Sequence, residues 1–346
     1  MIQNKIKGVG VALITPFNNY EVDYPALERM VEHVITGGVD YIVALGSTAE
    51  TATLSFAERQ RVLDFIIDHT AGRVPIVAGM GTNDTHALVE QLRTFDLSRT
   101  IGILSVVPYY NKPSQEGIYR HYMAVAEASP VPVILYNVPG RTGVNMTAVT
   151  TLRLAHATDK IVAVKEASGS IEQMQEIIDG KPEGFLVISG DDGITVELVK
   201  RGGMGVISVA ANAFPERFCK CVHDAMEGNF AEAERTMEQL TEPIALLFRE
   251  GNPTGVKCMT AAMGITRDEV RLPLVEGTET LSEDIKSAVK KYDNVGAYQT
   301  LLTMMKNKEL LAKVMEYFTA FCVLIFLGVT LYMDLIGLIL GKDFRG

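Results

Sequence analysis

Eight short apolar runs, separated by stretches with helical spacing, are the feature that most limits how this chain can fold. They are rich in β-branched and small residues and are bounded by turn-forming residues, which is typical of buried parallel strands. The runs are Val9 to Phe17, Tyr41 to Ser47, Pro75 to Met80, Ile101 to Tyr109, Pro132 to Val138, Ile161 to Glu166, Phe185 to Ser189, and Met204 to Ala210. This alternation predicts an α/β fold, a (β/α)8 TIM barrel. A doubly wound open sheet alternates in the same way, but no glycine-rich dinucleotide fingerprint opens the first unit.

Two of the intervening helices carry clear start signals. Asp23 precedes a stretch with helical spacing, and Pro25 falls in its first turn. Ser55 and Glu58 have the spacing of a capping box, in which each side chain bonds the other residue's backbone N–H. Beyond about Met226 the chain reads as helices without intervening strands. We therefore expect a catalytic barrel over 1–229 and a C-terminal helical region over 230–295 that packs on it.

A hydrophobic tail over 296–346 forms the third predicted segment. Residues 317–333 carry no charge, Asp334 interrupts the run, and Leu335 to Leu340 resume it. A membrane-spanning helix needs roughly 20 apolar residues, so we expect an extra hydrophobic C-terminal helix, with a possible membrane helix at 317–340. A helix buried in an oligomer interface and a non-native extension joined to a complete enzyme stay open as alternatives.

Composition narrows the choice of function. The formal net charge is −10, which argues against a nucleic-acid partner because such proteins carry a basic patch. The four cysteines show no metal-ligand spacing, and we expect no metal. No apolar segment of signal-peptide length follows the first lysines. The sequence thus predicts a cytoplasmic enzyme with reduced thiols, in contact with a membrane only if residues 317–340 provide it.

Lys165 stands at the end of the sixth apolar run. Lysine is almost never fully buried without a partner, so a lysine in this position needs an explanation. A snorkelling lysine at a strand end is the simpler hypothesis. The functional hypothesis is that its amine attacks a carbonyl group and forms a Schiff base. The carboxyl ends of barrel strands form the catalytic face, which favours the second hypothesis.

The other strand ends supply groups that suit this chemistry. Ser47 and Thr48 form either an ordinary turn and helix cap or a carboxylate site built from hydroxyls and backbone N–H groups. Tyr136 is either a core tyrosine or a proton carrier, and Arg141 is either a solvated charge or a bidentate carboxylate ligand. We interpret Asp191-Asp192 as a cap for the following helix rather than a metal pair. Together these groups indicate Schiff-base chemistry on a keto acid, which needs no cofactor because the protonated imine is the electron sink.

Four motifs carry a resemblance to a known family, over Ile6 to about Tyr292. They are Gly46-Ser47-Thr48-Ala49-Glu50, Pro108-Tyr109-Tyr110-Asn111-Lys112-Pro113, Tyr136-Asn137-Val138-Pro139-Gly140-Arg141-Thr142-Gly143, and Val164-Lys165-Glu166. With them the chain resembles the pyruvate-dependent class I aldolase superfamily, which contains the dihydrodipicolinate synthases and N-acetylneuraminate lyases. The resemblance implies pyruvate as a substrate.

The resemblance also implies residue roles. Lys165 would form the imine with pyruvate, and Tyr136 would shuttle protons. Ser47 and Tyr110 would complete a proton relay, with Tyr110 reaching into the site of a neighbouring subunit of a homodimer or homotetramer. Thr48 would hold the pyruvate carboxylate. Ile207 would contact pyruvate through its backbone carbonyl.

The strand 5 motif has the form found in the synthases. By resemblance, Arg141 would bind the carboxylate of L-aspartate semialdehyde, and the enzyme would make 4-hydroxy-tetrahydrodipicolinate for diaminopimelate and lysine biosynthesis. Cleavage or synthesis of another 2-keto acid, such as a 2-keto-3-deoxy sugar acid or N-acetylneuraminate, is the alternative. A membrane-tethered binding protein on an inactive barrel is a third hypothesis, which the intact Lys165 and Tyr136 disfavour. Phe56, Arg59 and Ala87 stand where lysine-inhibited members carry histidines and a glutamate, so we do not expect feedback inhibition by lysine.

Overall fold

The computed structural model describes residues 2–291 and Tyr317. One compact unit, Met1–Ala288, contains a closed barrel in which each strand pairs in parallel with the strands before and after it, and the last pairs with the first. The strands are β1 (Gly8–Ala12), β2 (Tyr41–Ala44), β3 (Ile76–Gly79), β4 (Gly102–Val106), β5 (Val133–Asn137), β6 (Ile161–Glu166), β7 (Leu186–Ser189) and β8 (Gly205–Ser208). The (β/α)8 prediction is confirmed, and closure of the sheet rules out the doubly wound alternative.

Helices follow the strands in the expected order. They are α1 (Tyr24–Thr36), α2 (Phe56–Thr70), α3 (Thr85–Thr94), α4 (Gln115–Ala128), the short α5 (Pro139–Thr142), α6 (Ala148–Ala157), α7 (Ile171–Gly180), α8 (Thr195–Lys200), α9 (Pro215–Met226), α10 (Phe230–Phe248) and α11 (Thr254–Ala262). Residues 279–291 are also helical. The predicted C-terminal helices are therefore present, and α10 and α11 belong to the same compact unit as the barrel.

Both predicted helix starts are confirmed. The Asp23 side chain accepts a hydrogen bond from Ala26 N–H at the start of α1. At α2, Ser55 Oγ accepts from Glu58 N–H at 3.2 Å, and Glu58 Oε2 accepts from Ser55 N–H at 2.8 Å. Each bond satisfies a backbone donor that the first helical turn leaves without a partner.

The hydrophobic tail lies outside the described residues apart from Tyr317, so the predicted helix at 317–340 stays a prediction. No helix among residues 2–291 is both long and apolar enough to cross a membrane.

The strands are buried on both faces, as expected for a parallel barrel covered by helices. Alternate residues of a strand point to opposite faces, and the register Tyr136↔Lys165 and Asn137↔Glu166 joins β5 to β6. Tyr136 belongs to the core cluster that fills the barrel, so Lys165 shares the interior face with it. Asn137 and Glu166 consequently face the surrounding helices.

A buried cluster of charges joins the turn after β2 to the C-terminal helices. Lys257 of α11 is fully buried and forms an ion pair with Glu50, and Glu50 Oε2 also accepts a hydrogen bond from Arg271 N–H at 2.9 Å. The ring of Phe17 contacts both cations, at 4.0 Å from Lys257 Nζ and 4.4 Å from Arg271 Cζ. Burial lowers the pKa of Lys257 to about 8, while Glu50 acts in the opposite direction. The cluster ties three distant parts of the chain together beside the barrel mouth.

We expect Lys257→Met to lower the free energy of unfolding by about 3–5 kcal/mol, because it leaves the Glu50 carboxylate buried without its counter-ion. Urea denaturation followed by circular dichroism measures the change. Lys220→Met is the matched control, since Lys220 pairs with Asp224 at the surface and its side chain is 58% exposed. An exposed pair of this kind contributes less than about 1 kcal/mol. Equal losses in the two variants would contradict a stabilising role for the buried pair.

Candidate active site

A cavity of about 560 Å³ opens where the carboxyl ends of the barrel strands meet. Five predicted site residues line it: Ser47, Thr48, Tyr136, Arg141 and Lys165. The carboxyl ends of β5 and β6 carry Tyr136 and Lys165, and the segments after β2 and β5 carry the other three residues. The groups thus meet at one place, as predicted from their positions at strand ends. No group of three or more His, Cys, Asp or Glu side chains among the described residues is placed to hold a metal ion.

Lys165 and Tyr136 stand side by side in the cavity wall. They are paired across β5 and β6, and Lys165 Nζ lies 4.3 Å from the centre of the Tyr136 ring. Lys165 is 5% exposed and Tyr136 is 7% exposed. Within residues 2–291 no carboxylate forms an ion pair with Lys165, whereas the other buried lysine, Lys257, has one. The amine at position 165 is therefore placed to react with a small molecule in the cavity.

The turn after β2 presents two hydroxyl groups to the same cavity. Ser47–Ala49 forms a 3-10 turn, in which Ser47 is exposed and Thr48 is buried. Glu50 follows with a left-handed φ of 54°, and its ion pair with Lys257 holds the end of the turn. Thr48 Oγ1 accepts a hydrogen bond from Asn252 Nδ2 at 3.0 Å. Because a hydroxyl can accept and donate at once, the Thr48 O–H stays available to donate to a carboxylate.

Asn252 is a site residue that sequence reasoning missed. It lines the cavity in the loop between α10 and α11, and its backbone carbonyl accepts a hydrogen bond from Arg141 Nη2 at 2.9 Å. The side chain bonds Thr48 and the main chain bonds Arg141, so this residue connects the two predicted carboxylate ligands. Its sequence signal was the turn-forming Gly251-Asn252-Pro253, which marks a loop without showing where that loop lies.

Tyr110 and Ile207 are not among the residues that line the cavity. The Tyr110 side chain is 88% exposed, and the residue has a left-handed φ of 72°. Ile207 is buried within β8, opposite Gly10 of β1, with its side chain in the barrel core. The predicted roles of both residues stay predictions.

The interpretation of Asp191-Asp192 as a helix cap is wrong. Helix α8 begins at Thr195 with Ile194 in the capping position and no side-chain cap. Asp192 is buried and instead accepts hydrogen bonds from Val209 N–H at 3.2 Å and Ala210 N–H at 3.0 Å. Burial raises its pKa to about 6. The Asp192 carboxylate thus binds backbone N–H groups just after β8 instead of those at the start of α8.

These groups can act together on a small anionic carbonyl compound. An amine beside a phenol can form an imine and exchange protons with it, and the Thr48 hydroxyl and the Arg141 guanidinium can bind carboxylates. A lysine in this position, at the carboxyl end of the sixth strand of a closed (β/α)8 barrel, fits an enzyme that acts through a Schiff base.

Comparison with known proteins identifies the family. The sequence model of the dihydrodipicolinate synthetase family matches residues 5–292, and the chain belongs to this family. The chain is 51% identical over 292 residues to the 4-hydroxy-tetrahydrodipicolinate synthase of Phocaeicola vulgatus, covering 84% of this chain and 98% of the relative. It is 50% identical over 292 residues to the enzyme of the same name from Parabacteroides distasonis, with the same coverage.

Solved structures agree with this assignment. The dihydrodipicolinate synthase of Aquifex aeolicus is 38% identical, with a TM-score of 0.81, and the match covers 83% of this chain and 98% of that chain. The enzyme of the same name from Thermotoga maritima is 35% identical, with a TM-score of 0.81 and the same coverage. The fold, the position of the lysine and the family assignment are consistent with one another.

Proposed function

We propose that this chain is a 4-hydroxy-tetrahydrodipicolinate synthase. It is a lyase that condenses pyruvate with L-aspartate-4-semialdehyde to give (S)-4-hydroxy-2,3,4,5-tetrahydrodipicolinate in diaminopimelate and lysine biosynthesis. The observation that carries the proposal is the Lys165 amine, which lies beside Tyr136 in the cavity without an ion-pair partner among the described residues. Relatives with this name, about 50% identical over most of the chain, support it.

The chemistry begins at Lys165. Its amine adds to the keto carbon of pyruvate, and the adduct loses water to give a protonated imine. Loss of a methyl proton then gives an enamine, whose terminal carbon attacks the aldehyde carbon of aspartate semialdehyde and forms the new C–C bond. The aldehyde oxygen takes a proton and becomes the hydroxyl group. Finally the amino group of the added half attacks the imine carbon, closes the ring and releases Lys165.

Neighbouring groups handle protons and hold pyruvate. Tyr136, the residue paired with Lys165, is the proton carrier at the imine. The Thr48 hydroxyl donates to the pyruvate carboxylate, while Asn252 holds its oxygen. Ser47 belongs to the proton relay, and the backbone carbonyl of Ile207 contacts bound pyruvate.

Arg141 selects the second substrate in this proposal. Its side chain lies at the cavity mouth, and one of its nitrogens bonds the Asn252 carbonyl. The remaining N–H groups of the guanidinium can bind the carboxylate of aspartate semialdehyde in a bidentate manner. The second substrate of a sugar-acid aldolase presents hydroxyl groups rather than a carboxylate to Arg141. This arginine therefore favours the synthase reaction over the alternative aldolases.

We expect borohydride reduction in the presence of pyruvate to add a reduced pyruvyl group to Lys165. Peptide mass mapping would locate the adduct. Lys257, the second buried lysine among the described residues, is ion-paired and serves as an internal control, and it should remain unmodified. If Lys165 carried no adduct in folded protein, both the synthase and the other Schiff-base aldolase reactions would be excluded.

The role of Arg141 predicts a split between the two half-reactions. We expect Arg141→Ala to lower kcat/KM for aspartate semialdehyde by about 100-fold, since loss of a charged hydrogen-bond pair costs roughly 1.5–3 kcal/mol. The rate of borohydride-trapped imine formation with pyruvate should change by less than about threefold. Arg59→Ala, which removes another cavity arginine, is the control for the general loss of positive charge. Equal losses in both half-reactions of Arg141→Ala would disprove the assigned role.

We also propose that the active form is a homo-oligomer, a homodimer or homotetramer, in which Tyr110 completes the proton relay of a neighbouring copy. The exposure of this tyrosine supports the proposal, since an aromatic residue that is 88% exposed packs little against the described part of its own chain. One related structure, 34% identical, is described as the first monomeric dihydrodipicolinate synthase variant. A monomer is thus the exception among the relatives.

Mixing two inactive variants tests this arrangement. Lys165→Ala retains Tyr110, and Tyr110→Phe retains Lys165, so a mixed dimer contains one site with both groups. We expect both variants to be nearly inactive alone and their equimolar mixture, after subunit exchange, to recover up to about a quarter of wild-type activity, as random pairing in a two-fold dimer requires. A mixture no more active than the two variants measured separately would show that Tyr110 does not act between subunits.

We assign the proposed activity to residues 5–292, the part of the chain that the family model matches. Lipid contact through residues 317–340 stays a prediction that rests on the length of the uncharged run. Insensitivity to lysine, inferred from Phe56, Arg59 and Ala87, likewise stays a prediction.

A further inference from the structure

Glu166, the residue after the Schiff-base lysine, is a buried carboxylate that the reaction itself does not use. It is 0% exposed, and because strand residues alternate between faces, it points away from the cavity that holds Lys165. No ion-pair partner of Glu166 is found within residues 2–291, so it differs from Glu50, whose charge is balanced by Lys257. Burial raises the pKa of Glu166, and its hydrogen bonds oppose that shift.

Neutral donors surround both carboxylate oxygens. Oε1 accepts from Ser168 N–H at 2.7 Å, and Oε2 accepts from Gln173 Nε2 at 3.1 Å. Asn137 Nδ2 donates to both oxygens, at 3.2 and 3.0 Å. Asn137 is itself held, because its Oδ1 accepts from Met146 N–H at 2.9 Å. The carboxylate therefore joins the ends of β5 and β6 to the loop that follows β6 and to α7.

A buried, unpaired carboxylate is costly, and an apolar side chain of similar size would fill the same space. Unlike an apolar side chain, the carboxylate accepts hydrogen bonds from Asn137, and these bonds fix the end of β5 relative to the end of β6. The pairs Asn137↔Glu166 and Tyr136↔Lys165 are consecutive in the register of β5 and β6. A shift of β6 against β5 at Asn137 and Glu166 would therefore also move Lys165 relative to Tyr136.

We propose that Glu166 is a positioning residue, whose bonds to Asn137, Ser168 and Gln173 hold the Lys165 amine in line with Tyr136 for imine formation. The inference rests on the proposed Schiff-base function and adds a residue that touches neither substrate nor reacting atoms. A displacement of about 1 Å at a reacting group can cost roughly 100-fold in rate. The effect of losing Glu166 should consequently appear in the rate of imine formation and not only in stability.

Two substitutions and a matched control test the proposal. Glu166→Ala removes every bond, while Glu166→Gln keeps one oxygen and places an amide nitrogen against donors. Asp40→Asn makes the same carboxylate-to-amide change at the opposite end of the strands, where Asp40 Oδ2 accepts from Val9 N–H at 2.7 Å and lies 2.7 Å from His223 Nε2. For each folded variant, thermal melting gives the stability, and rapid mixing with pyruvate followed by borohydride gives the rate of adduct formation on Lys165.

We expect the trapping rate to fall by about 100-fold in Glu166→Ala and about 10-fold in Glu166→Gln. In Asp40→Asn it should change less than about twofold, whatever loss of melting temperature that variant shows. Asn137→Ala should also lower the trapping rate, and its combination with Glu166→Gln should lower it by less than the product of the two single effects, because the two residues share a contact.

A folded Glu166→Ala enzyme that traps pyruvate at the wild-type rate would overturn the proposal. If Glu166→Ala does not fold, Glu166→Gln decides, and a trapping rate equal to that of Asp40→Asn would show a purely structural role. A wild-type enzyme that traps no pyruvate would instead disprove the proposed function, and the inference with it.

Discussion

The ion pair between Lys257 and Glu50 is the contact on which the active-site architecture depends. A buried charge is costly unless an ion-pair partner or hydrogen bonds stabilise it, and the two buried lysines described in this chain differ in their partners. Lys257 is neutralised by a carboxylate, whereas Lys165 faces a cavity and a tyrosine ring. The ion pair also fixes the turn that carries Thr48. Lys257, which has a counter-ion, therefore helps to build the site around Lys165, which has none among the described residues.

The C-terminal helical region is consequently part of the active site as well as a support for the barrel. Lys257 lies on α11 and anchors the turn after β2, while Asn252, just before α11, bonds both Thr48 and Arg141. The two groups assigned to carboxylate binding come from different barrel loops. Their spacing is thus set by a loop that lies more than 100 residues further along the chain, which explains why the barrel and the following helices form one compact unit.

The sequence predicted those features that depend on local pattern. Apolar runs bounded by turns located the strands, and Asp23 and the Ser55–Glu58 pair located helix starts. Because the carboxyl ends of barrel strands share one face, the sequence also placed Lys165 near Tyr136. Contacts between distant segments were not predictable, because no periodicity links Glu50 to Lys257 or Thr48 to Asn252. The error at Asp192 has the same origin. Its sequence position suits a helix cap, but folding brings the backbone N–H groups at the end of β8 within its reach. A buried carboxylate needs hydrogen-bond donors, and these are the ones that it binds.

The charge of the cavity opposes the charge of the protein. The chain has a net charge of −10, yet the three basic residues Lys165, Arg59 and Arg141 line the cavity. Of the two acidic residues in its wall, Asp191 and Glu50, the second is neutralised by Lys257. A local excess of positive charge within low-dielectric walls concentrates anions there despite the acidic surface. Both substrates of the proposed reaction carry a carboxylate, and each loses its hydration when the cavity takes it up. In the proposed reaction, fixed donors replace that hydration, hold the two substrates and set the distance between the two carbons that join.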